Sequence, residues 1–202
     1  MDQISAGNRQ VVPKGSSNQF LGSKLFWAGI VAVVIFFLLA IIGSILKANS
    51  GGEKRKSLEA LAHIVSTSEV ITEYQSNIKS SDLRSSSASL YGVLSNTSSD
   101  LTNYLTEKYT IKDPIKSLDK NTQEQTEAAK EELSDELFKA KINGMLDRVY
   151  ANKMAYEISI IKTQENDLYD IAKDDTLKEL LDRSYSSLEN LYDKFNDFSE
   201  SK

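Results

Sequence analysis

The chain has 202 residues, 26% of them charged and 40% hydrophobic, with a formal net charge of −5, enough for one domain and an additional segment. It contains no cysteine, which excludes a disulfide framework and thiolate chemistry. Only 2 prolines and 9 glycines point to long helices rather than to a turn-rich sandwich.

Residues 1–24 are polar and aperiodic, mixing Gly, Ser, Asn and Gln, and read as a disordered tail. Residues 25–46, "LFWAGIVAVVIFFLLAIIGSIL", carry no charge. At about 1.5 Å per residue this run reaches about 33 Å, enough to cross the hydrocarbon layer of a bilayer. Lys24 and Lys47 bracket it, and Trp27 lies where an interfacial aromatic is expected. The run exceeds a signal-peptide core and no small-x-small cleavage site follows, so a single transmembrane helix over 25–47 is expected, with the lipid bilayer as its partner. Arg9, Lys14 and Lys24 on one side oppose Lys47, Lys54, Arg55 and Lys56 on the other, so charge counting leaves the orientation undecided.

Residues 48–56 read as a flexible linker, and 57–202 as a helical bundle domain. Residues 53–202 hold 20 basic and 28 acidic side chains, a balance that disfavours nucleic acid as a partner. Over 57–79, Leu58, Leu61, Val65, Ile71, Tyr74 and Ile78 form one helical stripe. A second helix starts near Ser81 or Asp82 and carries Leu83, Leu90, Leu94, Leu101 and Leu105, with small Ser87 and Thr97 or Ser98 filling the missing turns. The segment 110–120, containing Pro114, is a breaker. Asn121 and Glu124 suggest a capping box for a charged third segment anchored by Leu133, Leu137 and Phe138, which Asn143-Gly144 ends or bends. The fourth helix, 145–172, aligns Leu146, Tyr150, Met154, Ile158 or Ile161, Leu168 and Ile171. Asp174 or Asp175 caps the fifth, whose stripe is Leu177, Leu181, Ser184, Leu188, Leu191, Phe195 and Phe198. Four long amphipathic helices, with a short one between the second and fourth, make a bundle with a long crossover.

Motifs for chemistry are missing. The lone histidine, His63, follows Glu59 by four residues, whereas carboxylate di-iron bundles need Glu-x-x-His. It reads as a surface or boundary residue. The pairs Glu131/Asp135, Glu132/Glu136 and Asp193/Asp197 fall on polar faces. The run from Asp119 lacks the sixth-place glycine and twelfth-place glutamate of a calcium loop. No phosphate loop or nucleophile elbow is present. Asn96-Thr97-Ser98 matches a glycosylation sequon but lies mid-helix. No catalytic, cofactor or metal residue is assigned.

Residues 146–158 read Leu-Asp-Arg-x-Tyr-x-x-x-Met-x-x-x-Ile. This resembles the Phe-Asp-x-x-Tyr-x-x-x-Met-x-x-x-His motif of a bacterial family of exported, ferritin-like four-helix proteins of unknown function. Asp147, Tyr150 and Met154 match, Leu146 replaces the phenylalanine, and Ile158 stands at the histidine position. Leu90, Leu94 and Leu101 occupy the places of the family's second-helix Met-x-x-x-His and following Leu, and residues 173–191 are similar to its last helix without the late histidine. The expectation is therefore an all-α chain, with a transmembrane helix followed by an antiparallel four-helix, ferritin-like bundle with a short crossover helix. The resemblance implies that the bundle is displayed outside the plasma membrane. A structural or protein- or envelope-binding role without catalysis is expected; the alternative is a ligand-sensing or carboxylate-only metal-binding module.

Overall fold

The computed structural model describes residues 52–200, with side chains to Ser199. The expected tail (1–24), transmembrane helix (25–47) and first linker residues (48–51) lie outside them. Among the described residues there are five α-helices, two short 3₁₀ turns and no strand. They are α1 (Gly52–Tyr74), α2 (Ser81–Tyr109), α3 (Lys120–Ile142), α4 (Leu146–Tyr169) and α5 (Asp175–Glu200). None is long and apolar enough to cross a membrane.

Each helix starts and stops for a local reason. Ser80 caps α2, its hydroxyl accepting from the Leu83 amide. Asp119, not Asn121, caps α3: its Oδ1 accepts from the Thr122 amide at 3.0 Å and its Oδ2 from the Thr122 hydroxyl at 2.7 Å. Asn121 therefore lies inside the first turn, because an aspartate two residues earlier already satisfies the free amide. Gly144, at φ 71°, ends α3. The Met145 amide donates to the Ala140 carbonyl and the Gly144 amide to that of Lys141, a Schellman closure. Asp174 caps α5 by accepting from the Thr176 amide. Helix α1 is already present at Gly52, so residues 52–56 are helical rather than linker.

The chain runs up and down five times. Glu53, in the first turn of α1, meets Tyr104, Lys108 and Tyr109 at the end of α2 and Lys173 before α5, which defines a base. At the opposite end Asp147, in the first turn of α4, accepts from the Lys79 and Ser80 amides ahead of α2. Helix α1 neighbours α2 and α4, and α5 also neighbours α2 and α4. The four close a ring around one core, and every neighbouring pair is antiparallel. Helix α3 lies outside the ring against α1 and α4. It carries the crossover, but it is not short: at 23 residues it equals α1. Leu133, Leu137 and Ala140 seat it, and Tyr74 donates to the Ser134 carbonyl at 2.9 Å.

The apolar stripes fill the ring. Leu61, Ile64, Ile71, Leu83, Leu90, Leu94, Leu101, Leu105, Tyr150, Met154, Ile158, Ile161, Leu168, Leu177, Leu188 and Phe195 are almost fully buried. Leu94 and Ile158, which stand where the resembled motifs have histidine, are both 0% exposed. Four expected core residues differ, one of them Phe198 near the end of α5, which is only half-buried. Val65 is only half-buried because Ile64 takes the inward position. Ile171 is exposed and Ala172 buried, since α4 ends at Tyr169 and the following turn rotates the chain. Phe138 is 53% exposed, because α3, outside the ring, buries only the stripe through Leu133, Leu137 and Ala140.

Because the ring completes its own core, a fragment of residues 50–202 is expected to be strongly helical and to unfold cooperatively. Replacing Ile158 with Asp in it should cost about 3 kcal/mol or more, since an unpaired carboxylate would enter an apolar layer. Thermal denaturation followed by circular dichroism checks this, and an unchanged midpoint would refute the core assignment.

Candidate functional site

Two polar constellations are built into the bundle, one in its core and one at its base. The core constellation follows from interruptions in three stripes. On α4 the inward positions are Met154, Ile158, Ile161, residue 165, Leu168 and Ala172, and position 165 is glutamate. On α5 the interruption is Ser184, and on α2 it is Thr97. The fold brings the three together. The Ser184 hydroxyl donates to Glu165 Oε1 at 2.6 Å and lies 2.9 Å from the Thr97 hydroxyl, which donates back to the Val93 carbonyl. Glu165 is 1% exposed, and its Oε2 has no hydrogen-bond partner in the protein. Burial pushes its carboxyl up to about 7, against the smaller lowering effect of the Ser184 hydroxyl. Near neutrality this side chain is therefore shared between acid and carboxylate.

Glu165 was legible in principle. A period of four and three residues runs without a gap along α4, and Glu165 is its one charged member. A second buried pair, Ser87 Oγ to Tyr150 OH at 2.6 Å, joins α2 to α4 higher in the core.

The base constellation centres on Glu53. Its Oε1 accepts from Tyr104 OH (2.6 Å), Tyr109 OH (2.7 Å) and Lys108 Nζ (2.9 Å), while its Oε2 accepts from the Lys173 amide at 3.1 Å. Lys108 also pairs with Asp174 at 3.3 Å and lies over the Tyr104 ring, 5.0 Å from its centroid. Burial works against ionisation of Glu53, but hydrogen bonds from Lys108, Tyr104 and Tyr109 hold its carboxyl down to about 2. Tyr104 is raised, first by burial and then by its bond to Glu53. The cluster ties the start of α1 to the ends of α2 and α4.

His63 is a boundary residue. Its Nε2 lies 2.7 Å from Glu157 Oε2 and its Nδ1 3.1 Å from the Gln164 amide oxygen. Glu59 does not join them; it pairs with Arg55. Of the carboxylate pairs, Glu131, Asp135, Glu132, Asp193 and Asp197 are exposed, and Glu136 pairs with Lys153. Among the described residues no three of His, Cys, Asp and Glu converge as metal ligands. Asn96 of the sequon is exposed, but Thr97 is buried against Ser184. No protein-family model matches the chain, and neither the curated proteins nor the solved structures give a match.

The two carboxylates make opposite pH demands. Glu165 binds its proton more tightly folded than unfolded, so its burial costs nothing below pH 4.5 and progressively more up to about 7. Stability should therefore fall by about 3 kcal/mol across that interval, and Glu165→Gln should flatten the fall. Melting curves at pH 5 and pH 8 test this; an unchanged difference between wild type and variant would refute it. Glu53 acts on the other side: its contribution is complete above 4.5 and is lost as pH falls towards 2. Glu53→Gln should lower stability throughout the range above pH 5, where the carboxylate's contribution is complete, and flatten the fall below it, as melting curves from pH 2 to pH 7 would show.

Proposed function

We propose that this chain is a single-pass membrane protein whose helical bundle stands outside the plasma membrane as a structural or protein- and envelope-binding module without catalytic activity. The observation that carries the reading is the uncharged run of 22 residues, 25–46, long enough to span a bilayer. The bundle beside it needs none of that run to complete its core. The base cluster supports the same reading: Glu53, only a few residues beyond Lys47, braces the first turn of α1 against α2 and α4.

The resemblance of 146–158 to the exported ferritin-like family gives the sidedness, with residues 1–24 in the cytoplasm. The residues that carry it have structural work here. Asp147 accepts from two amides of the α1–α2 connection, Tyr150 bonds Ser87, and Met154 and Ile158 fill the core. A carboxylate-only metal module would have to build on Glu165, a single inward carboxylate, whereas di-metal bundles project four. The binding reading is therefore preferred over the metal reading.

Protease added to intact cells, or to spheroplasts where an outer layer blocks access, should remove the bundle and leave the segment with its tail. Digestion that occurs only after lysis would reverse the orientation. Recovery of the full chain in the soluble fraction would refute the anchor.

A further inference from the structure

The end of the bundle opposite its base presents an apolar, cationic surface that folding does not explain. Phe138, Ile142 and Met145 are 53%, 69% and 54% exposed, three of the six large hydrophobic side chains that remain exposed among the described residues. They fall within eight consecutive residues at the α3–α4 turn. Met145 is the residue after the turn glycine, which in a Schellman closure normally packs back on the helix it ends. Here it stays outside.

Five cations lie around them. Lys139 and Lys141 flank Ile142 in the last turn of α3, where the helix dipole favours cations. Arg148 and Arg84, however, lie near the starts of α4 and α2, where the dipole disfavours them, and Lys79 precedes α2. Asp147 joins the Lys79–Ser80 connection to α4, which sets these cations at one end. All five are exposed, and among the described residues none is in an ion pair. Of the nearby acids, Asp147 accepts from the two amides and Glu136 pairs with Lys153, while Asp135, one turn before Phe138 and Lys139, is exposed. Asp82 and Asp197 lie together towards the α2–α5 corner. In a domain with eight more acidic than basic residues, this collection of free cations around exposed hydrocarbon is a local reversal.

We propose that the α3–α4 turn docks on an anionic lipid surface, Phe138, Ile142 and Met145 entering the headgroup layer and Lys139, Lys141, Arg148 and Lys79 meeting lipid phosphates. A convex helix-hairpin tip suits insertion into a fluid interface, where apolar side chains find hydrocarbon and long cationic ones reach headgroups. A protein partner would need a wider flat or concave face. The proposal rests on the anchored reading and names the bundle's partner as a lipid surface.

The full chain, reconstituted into phosphatidylcholine vesicles, tests this. Flotation first reports whether the chain stays with its vesicles, which is the anchor alone. Dye-labelled vesicles are then added, either pure phosphatidylcholine or containing about a quarter phosphatidylglycerol. Capture of the anionic vesicles should exceed that of neutral ones by about tenfold or more, and fall with added salt. The variants Lys139→Glu/Lys141→Glu and Ile142→Asp/Met145→Asp should each reduce capture by about tenfold with an unchanged melting midpoint. Equal capture of neutral vesicles, no capture by a chain that floats, or full capture by both variants would overturn the proposal. Mutual capture of protein-bearing neutral vesicles would overturn it in favour of a second copy. A chain that fails to float is added directly to anionic vesicles; binding sensitive to Lys139→Glu/Lys141→Glu upholds the docking surface, and its absence overturns it.

Discussion

The register of this bundle depends on a polar layer buried in its core. Thr97, Glu165 and Ser184 come from α2, α4 and α5; the Ser184 hydroxyl donates to Glu165 and lies 2.9 Å from that of Thr97. Apolar stripes repeating every three and four residues can slide past one another by a turn and still bury hydrocarbon. A slip of α4 against α5 would place Glu165 opposite a leucine and leave the Ser184 hydroxyl stranded. Each buried polar group left without a partner costs about 1–3 kcal/mol, a large share of the stability of a domain this size. The same layer keeps a carboxyl at the edge of ionisation, so the device that selects the register also makes the fold sensitive to pH near neutrality.

The base is organised by the opposite strategy. Glu53 is an ionised carboxylate surrounded by four donors from two segments, one of them the Lys108 ammonium. A charge-assisted cluster at a helix start also suits the macrodipole, since an acid in the first turn of α1 faces unpaired amides. One carboxylate is thus neutralised by burial and the other by partners. This difference separates their effects into two pH intervals and distinguishes the core from the end that adjoins the apolar run.

The resemblance motif acquires a physical meaning in this geometry. Asp147 and Tyr150 both make structural hydrogen bonds. They close the top of the bundle, Asp147 by accepting two amides of the neighbouring connection and Tyr150 by reaching Ser87 across the core. Ile158, one turn below Met154, is fully buried, and a buried aliphatic side chain contributes about 1.5–3 kcal/mol. Such residues are retained by packing whether or not a ligand was ever held between them.

The sequence by itself determined the helical class, the positions of four long stripes, the break around Pro114, the stop at Asn143-Gly144 and the burial of Leu94 and Ile158. These follow from periodicity and local capping, which act over a few residues. It also marked Ser184, and Thr97 or Ser98, as small members of their stripes, but not Glu165, nor that the three positions coincide. That depends on the relative heights of α2, α4 and α5, set by connections and packing far apart in the chain. The crossover shows the same limit. Leu133 and Leu137 announced a helix, but the length of α3, its place outside the ring and the exposure of Phe138 depend on which neighbours remain to cover it. Tertiary structure alone also gathered Glu53, Tyr104, Lys108, Tyr109 and Lys173 at the base, because antiparallel packing brings together helix ends that lie up to 120 residues apart.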